Sequence, residues 1–211
     1  YDRETRFDEV VLRFADPDGI ELELVAADAP TDAVPWADSP VSEAHQLRGF
    51  YGVTLAVSEY GPTAEVLTDV LGFELAEETD DRRRYRSGPG GPVSVVDLVE
   101  TDVGRGRMGV GTVHHVAFEA ADVEEQEAWR EAYAGAGLDP TAVIDRVYFQ
   151  SIYTREPGGV LFEMATSEPG FTADEPLDEL GTRLALPEWL EAERDSIEAR
   201  LPDFEGPQVS E

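Results

Sequence analysis

The chain repeats itself, and that repetition limits its fold more than any other feature. GVTLAVSE (52–59) aligns with HVAFEAAD (115–122), and DPDGIELELV (16–25) aligns with EPGGVLFEMA (156–165). Between these landmarks the pattern reads β-α-β-β-β twice. In the first copy 52–57 reads as a strand and 61–71 as a helix, with Pro62 in its first turn and Gly72 as its stop; 73–77, 82–86 and 93–99 follow as strands. In the second copy 113–118 is a strand and 123–134 a helix N-capped by Asp122 and closed by Gly135 and Gly137. Strands 142–144, 148–154 and 160–165 complete it. A repeat of about fifty to sixty residues marks a supersecondary unit that buries its apolar face only against neighbours. The expected fold class is α+β, with repeated βαβββ units forming cupped mixed sheets and a C-terminal helical extension.

Residues 10–14 and 20–25, joined by the Asp16-Pro17-Asp18-Gly19 turn, match the end of such a unit. The chain therefore divides into the tail of a preceding unit (1–25), a Pro-, Asp- and Ala-rich linker (26–46), one unit (47–102), a second unit (103–170) and an extension (171–211). In the extension, a helix from Pro187 to about Arg200 carries a partial apolar stripe of Trp189, Leu190, Ile197 and Leu201, and is expected to cap a sheet. Because the repeat is entered partway through, an N-terminal unit is expected to be missing.

Charge narrows the partners. The 211 residues hold 46 acids against 16 bases, a formal charge of -30, and every base is arginine. Such a surface repels phosphate backbones and anionic headgroups, which argues against nucleic acid and membrane as partners. Acidity spread along the chain without lysine fits a halophilic cytoplasm, where salt weakens self-repulsion. With 0 Cys there is no disulfide, thiolate nucleophile or Cys-ligated metal. No apolar run approaches the roughly 18 residues of a membrane span. A soluble, cytoplasmic protein is expected.

Two of the 3 histidines are adjacent, His114 and His115. Successive strand residues face opposite sides, and the repeat phase puts His115 in the column that Gly52 holds in the preceding unit. Packing alone would explain one strand histidine, but Glu163 shifts the balance. It lies between Phe162 and Met164 in an apolar strand, shares a face with Leu161 and Ala165, and needs solvent or a cation, because glutamate is almost never buried unpaired. An imidazole and a carboxylate on the first and last strands of one cupped unit make two-thirds of a 2-His-1-carboxylate set. In 145–155, Tyr153 and Arg155 share a face and offer a phenol and a guanidinium. The Gly104-Arg105-Gly106-Arg107-Met108-Gly109 segment fits G-x-G-x-x-G but precedes a strand rather than a helix, so it reads as a hinge between units, not a nucleotide site. His45, in the linker, reads as a surface residue.

GTVHHVAFEAADVEEQEAW (111–129), DRVYFQSIYTREPGGVLFEMATSEPGF (145–171) and LALPEWLEAERDSIEARLP (184–202) resemble the ring-cleaving dioxygenases of the glyoxalase/bleomycin resistance/dioxygenase (vicinal oxygen chelate) superfamily, in particular the hydroquinone-type extradiol enzymes. The resemblance implies His115 and Glu163 as metal ligands, Tyr153 and Arg146 as catalytic residues lining the substrate pocket, Fe(II) or alternatively Mn(II) as cofactor, and a small aromatic and dioxygen as substrates. It implies a further His ligand, from a missing N-terminal unit or from another copy in a homo-oligomer. Glu23 occupies the Glu163 column, but its partner column holds Gly52, so that pair reads as a vestigial site. A glyoxalase-like metal-dependent lyase or isomerase, a non-enzymatic aromatic-binding protein of the bleomycin-resistance kind, and an inactive partial chain are the alternatives.

Overall fold

A computed structural model describes residues 1–26, 33–88, 94–102, 104, 106–109 and 112–202. Part of the linker (27–32), Arg105 of the G-x-G-x-x-G segment and residues 203–211 of the extension lie outside the described residues. The described residues are mixed α+β, built on three sheets. The first is antiparallel: β1 (Asp2–Arg6), β2 (Glu9–Ala15) and β3 (Glu21–Ala26). Its opening strand, DRETR, has no apolar alternation and carried no strand signal. It forms because Phe7 and Asp8, at φ 47 and 64, make a tight turn whose twist matches a hairpin.

The other two sheets share one topology. β4 (Gly52–Val57) leads through α1 (Tyr60–Glu65) to β5 (Glu74–Glu78), β6 (Arg82–Arg86) and β7 (Val95–Glu100), in spatial order β4-β7-β6-β5. β8 (Val116–Ala120) leads through α2 (Val123–Gly135) to β9 (Ile144–Asp145), β10 (Gln150–Arg155) and β11 (Leu161–Thr166), in order β8-β11-β10-β9. In each, the first and last strands run parallel and the remaining pairs antiparallel, so both sheets are mixed. The helix after α1 widens into a π-turn over Val66–Val70, and Gly72 ends it at φ 72, a conformation glycine adopts without cost. Asp122 caps α2, accepting the Glu125 amide at 2.8 Å.

One apolar core joins the two mixed sheets. Leu55, Val57, Leu67, Phe73 and Leu98 from the first unit meet Tyr133, Ile152, Phe162 and Met164 from the second, with Phe73 and Phe118 edge to face at 5.8 Å. This core takes one face of β8–β11 and leaves Glu163 on the other. A buried carboxylate also ties the units: Glu156, in the turn before β11, accepts from Thr63 Oγ1 of α1 (2.8 Å), from the Gly158 amide (2.7 Å) and from the Val160 amide (2.7 Å). A side chain at Gly158 would put its Cβ 2.2 Å from the same Thr63 hydroxyl.

Charged groups tie the first sheet to β4–β7. Arg84, 1% exposed, grips Asp97 with two hydrogen bonds (2.8 and 3.0 Å), reaches Glu9 of β2 at 2.6 Å and stacks on Phe7. Tyr51 donates to the other Glu9 oxygen. Gly52 pairs with Val95, and a Cβ there would sit 2.5 Å from the Val95 carbonyl oxygen, so the column homologous to His115 has no room for a side chain. In the extension, the 187–200 helix is replaced by a 3-10 segment (Glu188–Glu193) and a short α3 (Arg194–Glu198), and Trp189 is exposed instead of capping a sheet. No helix among the described residues is long and apolar enough to cross a membrane.

The Glu156 latch makes a stability prediction. Glu156→Ala leaves three donors without their acceptor and should cost about 2–4 kcal/mol, read by urea unfolding; an unchanged midpoint would show that the latch contributes nothing.

Candidate metal centre

Register decides what shares the open face of the β8–β11 sheet. Glu163 pairs with Tyr153 of β10 on one side and with Ala117 of β8 on the other. His115 lies two residues before Ala117 and so has the same parity. Sequence periodicity placed His114 and His115 inside the strand, but β8 begins at Val116, one residue beyond them. The pair sits at the lip of the sheet, where His115 is 34% exposed.

The imidazole and the carboxylate meet. His115 Nε2 is 2.6 Å from Glu163 Oε2. Glu163 is 2% exposed, and its other oxygen, Oε1, accepts from the Tyr153 hydroxyl (2.7 Å) and from the Ser151 hydroxyl. The His115 and Tyr153 rings stand edge to face at 5.8 Å, and the Arg146 guanidinium lies 5.5 Å over the Tyr153 ring. His114 touches His115 through their Nδ1 atoms, 2.9 Å apart, and does not turn to the opposite face. Arg155, expected beside Tyr153, turns its guanidinium to the Gly159 carbonyl at 2.6 Å. Ser151 was not singled out from the sequence, because a lone serine in a strand carries no pattern.

The three sheets place a carboxylate at the same position of their last strands, and the differences between them are informative. Glu23 is held by Arg6 through two 2.8 Å bonds, and that guanidinium, more than any other group, keeps its carboxyl below the usual carboxylate range; Arg13 lies opposite it in the register. Asp97 faces Arg84 in the register and takes its two bonds. Glu163 faces Tyr153, a neutral phenol. Two of the three carboxylates thus carry a built-in arginine, whereas Glu163 has hydroxyls and one imidazole. A buried carboxylate without a fixed cation is costly, and a bound cation relieves that cost. His nitrogen and Glu oxygen are donors that suit a divalent transition metal. The donor set fits such an ion but is partial: among the described residues no group of three or more His, Cys, Asp or Glu gathers around one point.

The hairpin carrying Arg146 is strained. Val147 has φ 72, where β-branched residues are rare, and its amide is held by Asp145 Oδ1 at 2.8 Å while the Arg146 amide bonds the Phe149 carbonyl at 2.9 Å. Val147→Gly should therefore stabilise the chain by about 1 kcal/mol, seen as a higher unfolding midpoint; a lower one would mean that Val147 is relaxed there.

Comparison with known proteins identifies the family of the chain. "Putative ring-cleaving dioxygenase MhqO" of Bacillus subtilis (strain 168) is 41% identical over 205 residues, 97% of this chain and 65% of that protein. "Chlorohydroquinone/hydroquinone 1,2-dioxygenase" of Sphingobium indicum is 33% identical over 203 residues, 94% of this chain and 63% of that protein. The crystal structure of a "putative dioxygenase from Bacillus subtilis subsp. subtilis str. 168" superposes with a TM-score of 0.90 at 41% identity, over 97% of this chain and 66% of that one. The chain thus spans slightly less than two thirds of the length of the curated relatives it matches. Residues 50–164, which hold both mixed sheets nearly entire and with them His115 and Glu163, match the Glyoxalase/Bleomycin resistance protein/Dioxygenase superfamily, and the chain belongs to it.

Proposed function

We propose that the chain is the metal-bearing part of an Fe(II)-dependent ring-cleaving dioxygenase of the extradiol type, acting on a hydroquinone- or catechol-type aromatic, with Mn(II) as the alternative metal. The observation that carries this reading is the buried Glu163 carboxylate, turned to an imidazole and lacking the arginine that its two counterparts have. Relatives named as ring-cleaving and hydroquinone dioxygenases support the reaction class.

In this reading His115 Nε2 and Glu163 Oε2 would hold the ion, and a donor from outside this pair would complete its protein ligands. When bound, such an ion would supply the one-electron chemistry by which dioxygen reacts with an aromatic ring. Tyr153 gives its single phenolic hydrogen to Glu163, so its oxygen faces the cup as an acceptor for a substrate hydroxyl. Arg146, exposed above the Tyr153 ring, places positive charge at the mouth of the site in a protein of net charge -30. That charge draws in a phenolate and stabilises anionic oxygen as the ring is opened. Phe162 and Met164, facing the core behind Glu163, keep water from the rear of the sheet.

His115→Ala should lose bound iron after dialysis while His114→Ala retains it, with metal content read by emission spectrometry and oxygen uptake followed with hydroquinone and catechol panels. Equal retention by the two variants, or turnover of either ring type without oxygen uptake, would contradict the assignment.

A further inference from the structure

Ser151 is fully buried, at 0% exposure, on β10 two residues from Tyr153 and on the same face. Its hydroxyl donates to Glu163 Oε1, the oxygen that also accepts from Tyr153 at 2.7 Å. A carboxylate oxygen has two in-plane lone pairs, and two hydroxyl donors engage both. The other oxygen, Oε2, is left facing His115 Nε2 at 2.6 Å. The two oxygens of one carboxylate are therefore unequal: the sheet holds one and presents the other.

The repeat gives an independent reason to take this arrangement as built. In the β4–β7 sheet, Arg84 lies opposite Asp97 and Arg82 lies two residues before Arg84, and both bond Asp97, Arg82 at 3.0 Å. Tyr153 and Ser151 stand in the same two register positions against Glu163. Both sheets hold their last-strand carboxylate from two positions on the neighbouring strand; one uses charge and the other uses neutral hydroxyls. Hydroxyls fix the orientation of the carboxylate without neutralising it.

We propose that Ser151 is a positioning residue which, together with Tyr153, occupies Oε1 and so makes Glu163 a one-oxygen metal ligand aimed at His115. The inference rests on the metal-binding reading above. Without the Ser151 hydroxyl the carboxylate gains freedom about its last torsion, which is intrinsically broad, and both oxygens become open to an ion. A one-oxygen ligand leaves one more coordination position for an incoming molecule than a two-oxygen clamp does.

Co(II) is a suitable probe, because its visible absorption weakens as coordination number rises and its binding needs no turnover. The full chain, Ser151→Ala and Ser151→Thr are titrated with Co(II), with thermal melts of the metal-free proteins as the control for folding. Ser151→Ala should melt as a folded protein, bind Co(II) about tenfold or more weakly, in the range that lost outer-sphere partners produce, and show a weaker visible band. Ser151→Thr, which keeps the hydroxyl, should restore the band. Should Ser151→Ala fail to melt cooperatively, Ser151→Gly reads the same loss. A hydroxyl-free variant with wild-type affinity and spectrum would overturn the role of Ser151 while leaving the metal site standing. A wild-type chain with no Co(II) spectrum even when free imidazole is added in place of the further donor would instead overturn the metal reading, and this inference with it.

Discussion

The candidate site depends on Glu163, a carboxylate that β11 buries against two hydroxyls and an imidazole, without the arginine that its counterparts in the other two sheets have. Glu163 is as inaccessible as Asp97, yet Asp97 is clasped by the two nitrogens of Arg84, while Glu163 has a phenol, a serine hydroxyl and an imidazole at the lip of the sheet. The cost of desolvating a charge falls steeply when a counter-charge is adjacent, which is why buried acids are nearly always paired. Where the repeat carries an arginine, the acid is paired within the protein. Where the repeat carries hydroxyls instead, as at Glu163, the acid has no arginine beside it.

The scaffold brings these groups together by simple means. Antiparallel register sets Tyr153 beside Glu163, parallel register brings β8 alongside, and parity sends His115 to the same face although it stands outside the strand. Behind them, Phe162, Met164 and Ile152 anchor the opposite face in the shared core. The Glu156 latch fixes the turn that feeds β11 to α1 of the neighbouring unit, so the strand bearing Glu163 is held at its start by a second domain-like unit as well as by its own sheet. The first mixed sheet shows what the same plan becomes when it is closed: no space at Gly52, and an interior filled by Arg84, Asp97, Glu9 and Tyr51.

Much of this was legible in the sequence because repetition supplies an internal alignment. The phase of HVAFEAAD against GVTLAVSE singled out His115 over His114, and the apolar neighbours of Glu163 marked it as a carboxylate in need of a partner. What was not legible depended on contacts between strands. β1 has no periodicity to betray it and exists through its pairing with β2. Asp97 escaped notice as the counterpart of Glu163 because the sequence comparison led to Glu23, and only the register reveals that all three sheets share the position. Ser151 and the turned-away Arg155 are matters of side-chain direction, which alternation predicts only as far as the face. The apolar stripe of the extension overstated its helix, since a stripe needs a surface to land on and Trp189 has none.

The most direct test is anomalous diffraction from crystals of the iron-loaded protein, recorded on both sides of the iron edge. A peak about 2.0–2.2 Å from both His115 Nε2 and Glu163 Oε2, the distance at which such nitrogen and oxygen ligands bind, is the expected result. A peak elsewhere, or an iron-free site in which the 2.6 Å contact between the two side chains persists, would contradict a metal role for this pair.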